Sequence, residues 1–159
     1  MRLPELIRRW LVEAFVNNPD RGEPDFVIGP PEDPYLRRWW VIPRNQWFNI
    51  YLHEIRHSDE PRAKHDHPWW NLSILLTGEY LELRPEGDVW RCQGEIILRR
   101  PEQAHRLVLP GAKEHRQVWT LFITGPVIRE WGFICPQGWR HWKEFTSPLN
   151  KGETGRGCD

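Results

Sequence analysis

Three histidines carry the clearest chemistry in this chain. His65 and His67 flank Asp66, and in an extended backbone side-chain alternation puts both imidazoles on one face and Asp66 on the other. Two neutral imidazoles so placed can share one metal ion, and imidazole is a ligand for zinc, iron, copper and nickel. His105 lies forty residues beyond His65, so only the fold can bring it in as a third ligand. These types and spacings speak for a metal site before they speak for any reaction.

Other polar residues fall in step with these three. Tyr51 and His53 share one face of an extended run from Gln46 to Arg56 and can both look into a cavity. If the chain stays extended beyond Pro68, Asn71 and Ser73 share the face of His65 and His67. Small polar groups in line with histidines imply a wet pocket rather than packed core. His57 sits in a charged turn and is a weaker candidate.

The elements that must position these residues are short and extended. Before them, Leu3, Leu6, Ile7, Trp10, Leu11, Ala14 and Phe15 recur at intervals of three and four. That spacing predicts an amphipathic helix over residues 1–19, with Glu5, Arg8, Arg9 and Glu13 facing away and Pro19 ending it. The helix is expected to cover a sheet face, with a dimer contact through Trp10 as the alternative. Strands are then expected at residues 25–28, 35–42, 46–56, 70–83, 89–92, 96–100, 105–109 and 117–124, punctuated by proline and glycine. Such spacing argues for an antiparallel sandwich or barrel. The barrel domain is expected over residues 20–146, ending in short strands held by aromatic packing. A disordered tail is expected over residues 147–159, which lack periodicity.

Composition sets limits. The 159 residues suit one domain, and 22 basic residues balance 22 acidic ones. That balance gives no support for nucleic-acid binding by counterion release. Eleven tryptophans suggest a core filled by indole, with some left for a pocket or interface. Three cysteines at no metal-ligand spacing argue against a disulfide framework and for a reducing compartment. No signal-peptide pattern and no membrane-spanning apolar run is present, so the expectation is a soluble cytoplasmic protein.

The stretch from Gln46 to Thr124 resembles a small cupin, the double-stranded β-helix or jelly-roll superfamily. His65, His67 and Gly78 match its first motif, and Gly94, Pro101 and His105 its second. Asn71 stands where the family usually has glutamate. Residues 118–126 and 131–133 are also similar to small cupin-like proteins of bacteria and phages, mostly without assigned function. The resemblance implies an all-β jelly-roll barrel behind an N-terminal helix, with His65, His67 and His105 converging on a divalent metal. Without the carboxylate, either the site resembles the three-histidine site of the thiol dioxygenase branch or Asn71 is a neutral residue that only positions water.

Iron(II) is the first expectation, with zinc or another transition metal as alternatives. The activity implied is a non-haem iron dioxygenase acting on a small polar molecule. A sugar or keto-acid isomerase and a non-enzymatic metal- or ligand-binding cupin are the alternatives, with a homodimer possible. Tyr51, His53, Arg99 and Arg106 are the candidate catalytic residues, either arginine being able to fork onto a substrate carboxylate. Asn71 and Ser73 would support the metal site, and Trp119 would form an aromatic wall.

Overall fold

The computed structural model describes residues 1–59, 61–111, 117–146 and 155–159. The chain opens with helix α1 (Glu5–Leu11), continued by a π-helical turn at Val12–Val16. The strands follow in order: β1 (Phe26–Ile28), β2 (Leu36–Trp40), β3 (Asn49–Ile55), β4 (Lys64–His65), β5 (Asn71–Thr77) and β6 (Glu79–Leu83). After them come β7 (Val89–Cys92), β8 (Ile96–Arg99), β9 (Arg106–Val108), β10 (Val118–Thr124), β11 (Gly132–Cys135) and β12 (Gly138–His141), then a short helix α2 (Trp142–Phe145).

Six strands pair in the order β1-β2-β3-β10-β5-β8, and two three-stranded pieces, β7-β6-β9 and β12-β11-β4, complete the set. An isolated antiparallel bridge between His65 and His105 joins those two pieces. The result is the expected all-β jelly roll with an N-terminal helix. Its core shows how the layers face. Leu36, Ile55, Leu75, Ile97 and Val118 of the large sheet pack with Tyr80, Leu107 and Leu109 from the opposite one. Full burial of a side chain such as Leu75, which has no exposed surface, stabilises the fold by roughly 1.5–3 kcal/mol.

Gly78 makes the change of sheet possible. Residues 70–83 read as one long run or two, and the structure splits them into β5 in the large sheet and β6 in the other. The glycine has φ +80°, and a Cβ there would meet the Gln117 carbonyl at 2.8 Å. Both facts exclude larger side chains from the corner.

The helix covers the outer face of the large sheet, but not with the expected stripe. Leu11, Val12, Phe15 and Val16 pack on Trp39, Leu52, Leu76, Trp119 and Leu121. Leu6, Ile7 and Trp10 are exposed. Arg8, expected to face away, turns inward: its Nη1 donates to the Leu76 carbonyl at 2.7 Å while Glu5 holds its other nitrogens. Its aliphatic stem can lie on apolar surface while the charge satisfies a sheet carbonyl, which periodicity alone does not register.

The carboxyl-terminal end also departs from expectation. Residues 147–154 of the predicted disordered tail lie outside the described residues, but residues 155–159 are fastened down. Cys158 forms a disulfide with Cys135, their Cα atoms 5.5 Å apart. The Gly157 amide donates to the Phe145 carbonyl, and Arg140 donates to the carbonyls of Gly157 and Asp159. The odd cysteine count hid this pair, because Cys92 is the remaining free thiol. The bond also runs against the reasoning that assigned the chain to a reducing compartment. Among the described residues no helix is long and apolar enough to cross a membrane.

Candidate metal centre

Backbone pairing assembles the cluster. His65 and His105 face each other in the bridge, each amide donating to the other's carbonyl at 2.9 Å. Directly opposed residues of an antiparallel pair project to the same side, so the forty intervening residues close into one contact. The His67 amide bonds the Pro101 carbonyl at 3.0 Å, which carries His67 alongside. Their ligand atoms all lie within 4.8 Å of one another, and the Nε2 atoms of His67 and His105 are 3.0 Å apart. Metal–imidazole bonds of about 2.0–2.1 Å meeting near a right angle put two nitrogens about 3 Å apart. The donors present therefore fit a divalent transition metal.

Acidic groups stand behind the imidazoles rather than among them. Glu82 Oε1 accepts from His105 Nδ1 at 2.9 Å. That fixes the tautomer and leaves Nε2 with its lone pair facing His67. The same carboxylate accepts from Arg99 Nε and from Arg91 Nε, both at 2.7 Å. Burial works against ionisation of Glu82, but His105 and the two arginines outweigh it and hold the carboxyl below its usual range. Burial, only partly opposed by Glu82, lowers His105 to about 4. Burial also pushes His67 well down, assisted by the other two imidazoles and by Arg99 and Arg38. Neutral imidazole is the form that binds metal.

Two aspartates brace the remaining ligands. Asp59 lies 3.7 Å from His65 Nδ1, accepts the Leu107 amide at 2.6 Å and is bonded by the Tyr35 hydroxyl. Burial and this carboxylate raise the Tyr35 pKa well above its ordinary value. Asp66 is buried on the far side of the strand, as alternation requires. It accepts from the Gly132 amide and Arg129 Nη1 at 2.7 Å, and from Trp139 Nε1 at 3.0 Å. It ties the His65–His67 segment to β11 and β12.

The structure brings some predicted site residues together and separates others. His65, His67 and His105 form the cluster. Asn71 and Ser73 do not share a strand with the histidines, because the chain crosses between sheets at residues 68–70; they lie in the opposite layer, on β5. Asn71 is fully buried, its Oδ1 is 3.4 Å from Arg99 Nη1, and its Nδ2 has no partner. Tyr51 and His53 stack on each other, and His53 stacks on Phe122, which lies 6.4 Å from the His67 ring.

Arg99 is buried and committed to Glu82, so it is not free to anchor a substrate carboxylate. Arg106 follows His105 and precedes the core residue Leu107, and alternation puts it on the outward face. Trp119 is no wall of the site: it stacks on Trp39 beneath the N-terminal helix at 5.5 Å. A register shift in β5 opposite Trp119 and Thr120 does not change that outward face.

Sequence reasoning missed Glu82, Asp59 and Arg38. Glu82 could have been found, since alternation on β6 puts it in line with the core residue Tyr80. Asp59 lies in a polar loop with no pattern to betray it.

No family model matches the sequence, and no curated protein does. Solved structures do match the fold. An uncharacterised protein with a double-stranded β-helix domain from Klebsiella pneumoniae aligns at 16% identity over 66% of this chain and 89% of its own, with a TM-score of 0.51. A polyketide cyclase from Streptomyces resistomycificus aligns at 16% identity over 69% of this chain and 76% of its own, with a TM-score of 0.50. At these identities the likeness establishes the fold alone. The chain thus has the cupin, double-stranded β-helix fold. Within that fold the cluster of His65, His67 and His105 can hold a divalent metal.

Proposed function

We propose that the protein is a metal-dependent cupin enzyme, a non-haem iron dioxygenase acting on a small polar molecule. The observation that carries this reading is the neutral donor set: three imidazoles converge, while Asp59 and Glu82 stand against the outer nitrogens of His65 and His105. A neutral set leaves the ion its full positive charge and leaves positions open for further ligands. Bound iron(II) would supply the one-electron and dioxygen chemistry that no amino-acid side chain has.

The chain's own residues orient and insulate. Glu82 keeps the His105 proton on Nδ1, and Asp59 stands ready to do the same for His65. Trp69 stacks on His67 at 4.8 Å, and Phe122 meets the Trp69 ring edge to face at 5.6 Å. This aromatic cover restricts water beside the cluster. It strengthens polar contacts there and fixes the direction from which a substrate can approach.

The test is anaerobic loading with iron(II), exposure to a panel of small thiols, amino acids and keto acids, then admission of oxygen. The expected outcome is substrate-dependent oxygen uptake with oxygen incorporated into product, lost in His105→Ala. Conversion of a keto acid or sugar by metal-stripped protein without oxygen uptake would overturn the reading in favour of an isomerase. Inertness across the panel with one tightly held zinc per chain would overturn it in favour of a structural metal.

A further inference from the structure

Facing the cluster, the inner surface of the large sheet carries polar groups that the fold leaves without partners. Arg38 on β2 lies opposite His53 on β3, and His53 lies opposite Thr120 on β10, so the three project to the same side. Arg38 Nε donates to His53 Nε2 at 2.8 Å, and its guanidinium lies 4.7 Å from the Tyr51 ring centre. Its two terminal nitrogens bond no described residue, and no described carboxylate pairs with it. Burial and the nearby Arg44 lower the Arg38 pKa, as fits a cation short of a counter-charge. Thr120 is 2% exposed, and its hydroxyl has no partner.

A desolvated guanidinium is costly unless paired. Among the described residues the buried Arg99 and the half-buried Arg91 both have Glu82, the half-buried Arg8 has Glu5, and the half-buried Arg21 bonds the Phe15 and Val16 carbonyls. Arg38 is half-buried with neither an acid nor a carbonyl on its terminal nitrogens, and its face of the sheet looks toward the histidines. It is among the charges that depress His67, and a stack of rings connects it to the cluster: His53 to Phe122 at 4.9 Å and Phe122 to His67 at 6.4 Å.

We propose that Arg38, with Thr120 on the same inner face across β3, is the receptor for a carboxylate at the far end of the substrate. The terminal nitrogens of Arg38 form a planar fork that matches two carboxylate oxygens, and the Thr120 hydroxyl can add a third donor. Between this anchor and the cluster lies the Phe122 ring, one face of which His53 covers; its remaining surface suits a short apolar or aromatic middle. The substrate class is therefore a small carboxylic acid with a metal-binding group at its other end. This inference rests on the proposed function for the role of the cluster, but the anion subsite itself needs no metal.

That independence sets the experiment. The full chain, as purified and again after dialysis against a chelator, is titrated with 3-phenylpropionate and with the isosteric neutral 3-phenylpropionamide. Calorimetry gives the affinities, and the Arg38 Nε–H resonance reports the contact. The carboxylate is expected to bind at least tenfold more tightly than the amide in both preparations, and to shift that resonance. The preference should vanish in Arg38→Gln and weaken severalfold in Thr120→Val. If Arg38→Gln does not fold, Arg38→Lys keeps the charge but loses the fork and should lose most of the preference. Equal affinity for acid and amide, or a preference that survives in the folded arginine variants, would overturn the proposal. Absence of metal from every preparation, with the carboxylate preference intact, would sink the metal reading and leave this one standing.

Discussion

The two walls of the barrel around the histidine cluster are built on opposite plans. The wall that holds His65, His67 and His105 has its buried acids spoken for: Glu82 has His105, Arg91 and Arg99, while Asp66 has Arg129, Trp139 and a backbone amide. The wall across from it leaves the Asn71 amide nitrogen and the hydroxyls of Thr120 and Thr124 buried without partners. A saturated network locks geometry, while an orphaned donor or acceptor is a standing cost that something else must relieve. The contrast separates a positioning wall from a receiving wall.

The largest effect should come from removing a ligand on the positioning wall. His67→Ala and His105→Ala are each expected to reduce bound metal from about one equivalent per chain to almost none, read by elemental analysis on protein shown folded by circular dichroism. Full retention of metal in both would break the assignment of the cluster. Glu82→Gln comes next. It keeps an acceptor for His105 but strips the charge from Arg91 and Arg99. Metal affinity should fall about 10–100-fold, and denaturant midpoints should register a loss of about 3 kcal/mol. An unchanged midpoint would mean that the network does not lock this wall.

Acid should act on the same wall. His105 titrates at about 4 in the fold and near 6.5 when unfolded, so between those values the unfolded chain binds the extra proton. Stability is therefore full above pH 6.5 and is lost as pH falls toward 4, by on the order of 3 kcal/mol from His105 alone. Burial lowers His53 and His67 as well, and both add to the loss with the same sign. Urea titrations of metal-free protein at pH 7, 6 and 5 would check the slope. A flat profile would show that these imidazoles are not held neutral. The smallest effects belong to the receiving wall: Thr120→Val and Thr124→Val remove unpaired hydroxyls and should change stability by less than about 1 kcal/mol. A large loss in either would show that the group has a partner after all.

How much of this was legible in the sequence follows the same division. Period-two alternation located β3, β8 and β10 and put Tyr51 and His53 on the inner face, because alternation is a local property of an extended chain. It also paired His65 with His67. It failed at Pro68, where the chain leaves one sheet for the other, so Asn71 and Ser73 were aligned with histidines that they in fact oppose. Trp119 was lost for a similar reason: its type suggested a pocket wall, but its parity with Leu121 puts it under the helix. Glu82, Asp59 and Arg38 escaped because a charged residue in a strand or loop looks solvated until its partners from distant strands are known. The Cys135–Cys158 bond depends on the path of the last residues across β12, which no spacing encodes.

The bridge between His65 and His105 has one more consequence, for local opening. These two residues can supply ligands and they form the hydrogen-bonded joint between the β7-β6-β9 and β12-β11-β4 pieces. An ion held by their side chains would clamp the joint that their amides close. Without it, the two pieces can part and re-form as separate units, well below the free energy of complete unfolding. Deuterium uptake at the His65 and His105 amides should then slow on metal addition, while the Leu121 amide, between two strands at the centre of the large sheet, keeps its rate. Ion occupancy would be written into the cooperativity of the sheet itself.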